Sequence, residues 1–120
     1  MKFPALATTA AACALVLSGC AASMDDASLM KTVPVGAGTS HIAIYPFIEC
    51  VKAKWSPQAA GKLRQYAPDS DGQVLAVRGA TSGDSVLLYA QPSAAGTTGY
   101  TIYGDVVAAS RYVAAAHTCD

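Results

Sequence analysis

Pro46-Phe47-Ile48-Glu49-Cys50-Val51-Lys52-Ala53-Lys54-Trp55 is the stretch whose reading decides the fold. Apolar residues stand at 47, 48, 51 and 55, the spacing of one helix face, while Glu49, Lys52 and Ala53 fall opposite. Pro46 suits a first helical turn, where the N–H it lacks would have no partner anyway. Ile42-Ala43-Ile44 leads in as an extended segment, and Cys50 lies on the flank of the apolar stripe. A strand over Ile42 to Val51 competes, because Ile, Tyr and Phe are also strand formers. The helix accounts for more of the pattern.

Downstream, Ser56-Pro57 marks a break or a new N-cap, and Pro57 to Tyr66 extends the helical region by a turn or two at most. Short extended segments follow. Leu63 to Ala67 precedes the turn composition Pro68-Asp69-Ser70-Asp71-Gly72. Gln73 to Arg78 alternates, with Leu75 and Val77 opposite Val74 and Ala76. Ser82-Gly83-Asp84 signals a hairpin turn, and Val86 to Gln91 is a clear strand. Pro92 to Gly99 reads as a loop. Tyr100 to Tyr103 is a third strand, with Tyr100 and Ile102 on one face and Thr101 and Tyr103 on the other. Asp105 is a plausible N-cap for a last helix reaching Cys119, with Val106, Ala109, Tyr112, Val113 and Ala116 on its apolar face. The pattern therefore predicts an α+β domain. An N-terminal helix precedes an antiparallel meander of three strands, or four if Leu63 to Ala67 pairs at the edge. A C-terminal helix follows, with both helices on one sheet face.

Upstream of this domain the composition changes. Met1-Lys2 is a short positive start, and Phe3 to Leu17 is apolar and alanine-rich, the length of a signal-peptide core. The run ends in Leu17-Ser18-Gly19-Cys20. This resembles the lipobox of bacterial lipoproteins: an aliphatic residue, two small ones and an obligatory cysteine. The resemblance implies that residues 1–19 are a signal peptide and that Cys20 is lipidated and becomes the N-terminus. The competing readings are a secretory signal cut elsewhere and an anchor that is never cut. In enterobacterial lipoproteins an Asp after the cysteine favours inner-membrane retention. Ala21 stands there instead, which by that resemblance implies the outer membrane, facing the periplasm. Residues 20–40 read as a lipidated flexible tether, carrying Asp25-Asp26, Pro34 and Gly36-Ala-Gly38 without apolar periodicity. Twenty such residues would span ~25 Å root-mean-square. The other reading docks Leu29 to Val35 as an edge strand. Residues 41–120 are then the domain.

The chain has 120 residues and a formal net charge of zero, or −1 once Lys2 is removed. Nothing in it forms a basic stripe matched to a phosphate backbone, so nucleic acid is not an expected partner. Its four cysteines take separate roles. Cys13 goes with the signal peptide, Cys20 carries lipid, and Cys50 and Cys119 remain in an exported domain, where disulfides persist. Each of the pair flanks a predicted apolar helix face, so the simplest reading is one bridge joining the two helices. It would close a loop of about 70 residues, for which chain entropy gives roughly 4 kcal/mol. With no CxxC motif and no zinc spacing, a redox or metal role is disfavoured.

A search for chemistry returns little. G-x-S-x-G, H-E-x-x-H, the P-loop and the dinucleotide fingerprint are all absent from the sequence. His41 and His117 have no paired carboxylate in view. Asp69, Asp71 and Gly72 faintly resemble the start of a calcium loop, but no acidic residue follows at the bidentate position, and they read as turn residues. The expectation is no enzyme, no cofactor, no metal and no evident small-molecule substrate. The six tyrosines draw more interest. Tyr89 and Tyr103 fall on adjacent predicted strands. They share either the core or the open sheet face, where they would form an aromatic platform for a partner.

The mature chain is also similar to small proteobacterial lipoproteins of unknown function, in which a Cys-bearing first helix ends in Lys-Trp and a second Cys lies near the C-terminus. Cys50, Lys54-Trp55 and Cys119 are the matching residues. The function expected is a membrane-anchored, non-catalytic periplasmic lipoprotein that binds a partner or joins an envelope assembly. The alternative is an inhibitor or immunity-type lipoprotein that blocks a cell-wall-active enzyme.

Overall fold

The stretch from Pro46 to Trp55 is helical. The computed structural model describes residues 25–59, 62–78 and 85–120. Its elements in chain order are α1 (Asp26–Leu29), β1 (Gly36–Ser40), α2 (Ile44–Ala59), β2 (Leu63–Tyr66), β3 (Gln73–Val77), β4 (Val86–Pro92), β5 (Thr98–Gly104) and α3 (Val106–His117). The fold is α+β, with both long helices on one face of a single antiparallel sheet.

α2 buries Phe47, Ile48, Val51 and Trp55 completely, the four residues of the apolar stripe. Each contributes about 1.5–3 kcal/mol by leaving water. The helix starts at Ile44 rather than after it, so Ile44 is not extended, and Pro46 sits in the first turn. Nor does Ser56-Pro57 break the helix, which runs on to Ala59. Tertiary contacts override the proline. Ala59 is 4 % exposed, and the Tyr112 hydroxyl donates to the Gln58 carbonyl at 3.1 Å. The Ser56 hydroxyl donates to the Lys52 carbonyl at 2.7 Å.

The sheet order is β1-β5-β4-β3-β2, so β2 to β5 form the meander, with Leu63–Tyr66 as its fourth strand. Ser82-Gly83-Asp84 lies outside the described residues. Leu75, Val77, Val86, Leu88, Ala90, Tyr100 and Ile102 face the helices, as period-2 alternation requires. α3 covers this face with Ala109, Tyr112 and Ala116, and Asp105 caps it by accepting from the Val107 and Ala108 N–H groups at 3.1 Å each. Val106 departs from its expected place on the apolar face. It is 71 % exposed, as is its neighbour Val107 at 82 %. The two helices meet where Trp55 Nε1 donates to the Tyr112 carbonyl at 3.0 Å, its ring edge-on to that of Tyr112.

The fifth strand corrects the tether reading. Residues 25–40, expected as part of a flexible linker, include α1 and the edge strand β1, so they belong to the folded domain that was expected to begin at 41. β1 is Gly36–Ser40, beyond the Leu29 to Val35 segment that the edge-strand alternative would have docked. The glycines that read as linker are packing residues. A Cβ on Gly36 would meet Val113 Cγ1 at 2.8 Å, and one on Gly38 would meet the Tyr100 hydroxyl at 2.5 Å. Without them neither Val113 nor Tyr100 could lie against the strand. Ser40, fully buried, donates to the Cys119 carbonyl at 2.7 Å. Thr98, also fully buried, donates to the Ile42 carbonyl at 2.8 Å.

Candidate functional site

Alternation along the strands sends a second set of side chains away from α2 and α3. Val74 pairs with Tyr89, Ala76 with Leu87, and Leu87 with Tyr103, so all five lie on the outer sheet face. Tyr66 joins them from β2, opposite Val74. Tyr89 and Tyr103 therefore do share a face, and it is not the one under the helices. That face is covered in part by the chain's own start. Leu29 of α1, 7 % exposed, forms a second apolar cluster with Val74, Ala76 and Leu87, and Met30, Tyr66, Tyr89 and Tyr103 pack around it. Three tyrosine rings thus surround a leucine on an aliphatic floor.

Polar contacts at the rim fix α1 in place. Asp25 caps it, its carboxylate accepting from the Ser28 N–H at 2.8 Å. That bond holds the Asp25 carboxyl below its ordinary value. Asp26 accepts from Arg64 Nη2 at 3.1 Å on both oxygens and from the Tyr66 hydroxyl. Side chains so exposed make this ion pair worth about 1 kcal/mol or less. Burial, then the Asp26 hydrogen bond, push the Tyr66 phenol up to about 12. Across the cluster Tyr89 donates to Asp69 at 2.6 Å. The Asp69 carboxylate also accepts from the Asp71 and Gly72 N–H groups, which closes the turn. The Tyr89 bond, then Gly72, hold Asp69 below the usual carboxylate range. Asp69 thus serves as a turn residue and an anchor for Tyr89.

The Tyr66 shift gives a pH prediction. Its folded pKa is raised, so its contribution to α1 docking is intact below the ordinary tyrosine value of 10.0 and is lost as pH rises towards 12. With ¹³Cζ-labelled tyrosine, the Tyr66 resonance should titrate near pH 12, and Asp26→Asn should bring its midpoint back towards 10. A wild-type midpoint at 10 would contradict the docked geometry.

The other sequence candidates fall as follows. Cys20 lies outside the described residues. Cys50 and Cys119 are joined by a disulfide, with Cα atoms 6.0 Å apart. His41 is exposed at the β1–α2 corner. His117 Nδ1 lies 2.7 Å from the Tyr100 oxygen, and the Tyr100 hydroxyl donates to Asp120 at 2.6 Å. Burial, then Asp120, push the Tyr100 phenol far above its ordinary value. Tyr100 is 3 % exposed and stacks on Phe47 at 4.8 Å, while His117 and Asp120, exposed and 3.3 Å apart, give His117 the carboxylate partner the sequence did not disclose; the trio fastens the end of α3 to the sheet. Among the described residues no group of three His, Cys, Asp or Glu side chains converges as a metal site, and no buried side-chain nitrogen or oxygen lacks a partner. No described helix is long and apolar enough to cross a membrane.

Leu29, Asp26 and Tyr66 were not among the sequence candidates. One signal for them was present. Val74 to Val77 and Val86 to Leu88 are unbroken apolar runs, the mark of strands covered on both faces. Two helices on one face leave the other needing a cover. No protein-family model matches the chain, and no curated protein sequence matches it.

Proposed function

We propose that this protein is a bacterial lipoprotein, lipidated at Cys20 and held on the periplasmic face of the outer membrane. We propose further that its domain is a non-catalytic binding module, presenting the outer sheet face around Tyr89 and Tyr103 to an envelope protein. The observation that supports this most is the docking of α1 on that face. Asp25, which caps α1, is five residues after Cys20, so it can lie at most about 18 Å from the lipidated residue. A free twenty-residue tether would let the domain roam; this leash keeps it beside the bilayer. The part of the face that α1 leaves clear carries Thr39 and Gln91, both exposed, beside the half-buried Tyr89 and Tyr103. A flat surface with aromatic edges and small polar groups suits a protein partner better than a small molecule.

The test is a photo-crosslinking amino acid placed singly at Thr39, Gln91 and Ala114 in the full chain, in intact cells. Thr39 and Gln91 should yield the same discrete protein adduct, and Ala114, exposed on α3, should yield none. Equal adducts from all three positions, or none from the sheet, would contradict the proposal.

A further inference from the structure

A cleft of about 530 Å³ lies on a different surface, between the last turn of α2, the ends of β2 and β3, and the first turns of α3. That volume is in the range of small-molecule sites. Lys62, Arg78 and Arg111 all line it, three of the seven cations that follow Lys2 in the chain. They come from three separate places in the sequence. The Arg78 N–H donates to the Lys62 carbonyl at 3.2 Å, so these two residues are cross-strand neighbours of like charge at the sheet's end. Such an arrangement is unfavourable until an anion neutralises it. Arg111 closes the third side, its guanidinium carbon 5.5 Å from the centre of the Tyr112 ring. Tyr112 is itself 4 % exposed and bonded to Gln58, so the platform beneath Arg111 is rigid.

Among the described residues the ion pairs are Arg64–Asp26 and His117–Asp120, and neither uses these three cations. No described lining residue is acidic. Asp105, next to the cleft in sequence, directs its carboxylate at the Val107 and Ala108 N–H groups. Among the described residues the rest of the lining is mixed, apolar from Ala59, Val77, Val107, Ala108 and Tyr112 and polar from Gln58 and Ser110. We propose that this cleft binds a phosphomonoester with an apolar body. Two guanidiniums suit a tetrahedral oxyanion through paired N–H donors. A phosphomonoester carries close to two negative charges at neutral pH and three acceptor oxygens, where a carboxylate brings one charge. The apolar walls take the organic part. Such a group reaches the cleft either on a lipid headgroup or on a soluble compound.

The test uses the full chain in a neutral detergent, followed by amide NMR at Val107, Ala108, Ser110 and Arg111. Phenyl phosphate should cause saturable shifts and bind at least tenfold more tightly than benzoate or inorganic phosphate. Arg78→Gln and Arg111→Gln, both at exposed positions, should each weaken it about tenfold while the domain stays folded by its amide spectrum, and Lys54→Gln should do nothing. Phosphatidylcholine nanodiscs containing phosphatidic acid should compete with phenyl phosphate if the source is lipid; binding without such competition assigns a soluble ligand. Absence of saturable shifts, equal binding of benzoate, or arginine variants that bind like wild type would overturn the proposal.

Discussion

Removing the Cys50–Cys119 bridge, by reduction or by Cys50→Ala with Cys119→Ala, is expected to cost about 4 kcal/mol and to lower the thermal midpoint by about 15–30 °C. The two cysteines are 69 residues apart, so the bridge closes a loop that runs from the middle of α2 through the meander to the end of α3. Its effect acts mainly on the unfolded ensemble, which loses the freedom to separate its ends. The native contacts around it survive reduction in part. Ser40 still holds the Cys119 carbonyl, and Tyr100 still holds Asp120. The reduced domain should therefore keep its native fold at low temperature while melting much earlier. A domain of this size has only about 5–15 kcal/mol in total, so the loss is a large fraction of it. The measurement is a pair of calorimetric scans with and without reductant, with alkylation before reduction to count free thiols. Free thiols at Cys50 and Cys119 before reduction, or a midpoint that moves by less than about 5 °C, would refute the structural role given to the bridge.

What the sequence disclosed follows the physics of each element. α2 and α3 were readable because their apolar stripes are wide and regular: Phe47, Ile48, Val51 and Trp55 on one, Ala109, Tyr112 and Ala116 on the other. β3 to β5 were readable because period 2 places Tyr100 and Ile102 under the helices and Thr101 and Tyr103 away from them. The same period put Tyr89 and Tyr103 on one face. β1 was not readable, because Gly-Ala-Gly-Thr-Ser has no apolar alternation. Its place is set by its partner β5 and by the room its glycines leave for Val113 and Tyr100. α1 has four residues and one buried side chain, too little for any periodicity to register. Its docking is a demand of the sheet rather than a property of the segment. The cleft was invisible for another reason. Lys62, Arg78 and Arg111 are far apart in sequence, and only the β2–β3 pairing and the placing of α3 bring them together.

Cys20→Ser should move the protein from the membrane fraction to the soluble fraction, or arrest it as a larger, unprocessed precursor. Each buried methylene contributes about 0.8 kcal/mol, and a single acyl chain gives only marginal, reversible attachment, so durable anchoring rests on the two or three chains that a lipidated cysteine carries. No described helix offers a substitute span, and the exposed large apolar side chains among the described residues are few: Val33, Ile42, Tyr45 and the adjacent pair Val106 and Val107. The substitution therefore removes the principal hold on the bilayer that we propose. It should leave the described domain unchanged, because α1 is held to the sheet by the Asp26 bonds to Arg64 and Tyr66 and by the packing of Leu29, none of which involves Cys20. The released variant should accordingly match the wild type, with its signal peptide removed, in thermal midpoint and in the Tyr66 titration. Ala21→Asp provides the matching test of address: in an enterobacterial host it should shift the protein towards the inner membrane without releasing it. A Cys20→Ser variant that fractionates and migrates like the wild type would end the lipoprotein reading, and with it the short leash that places the sheet face beside the membrane.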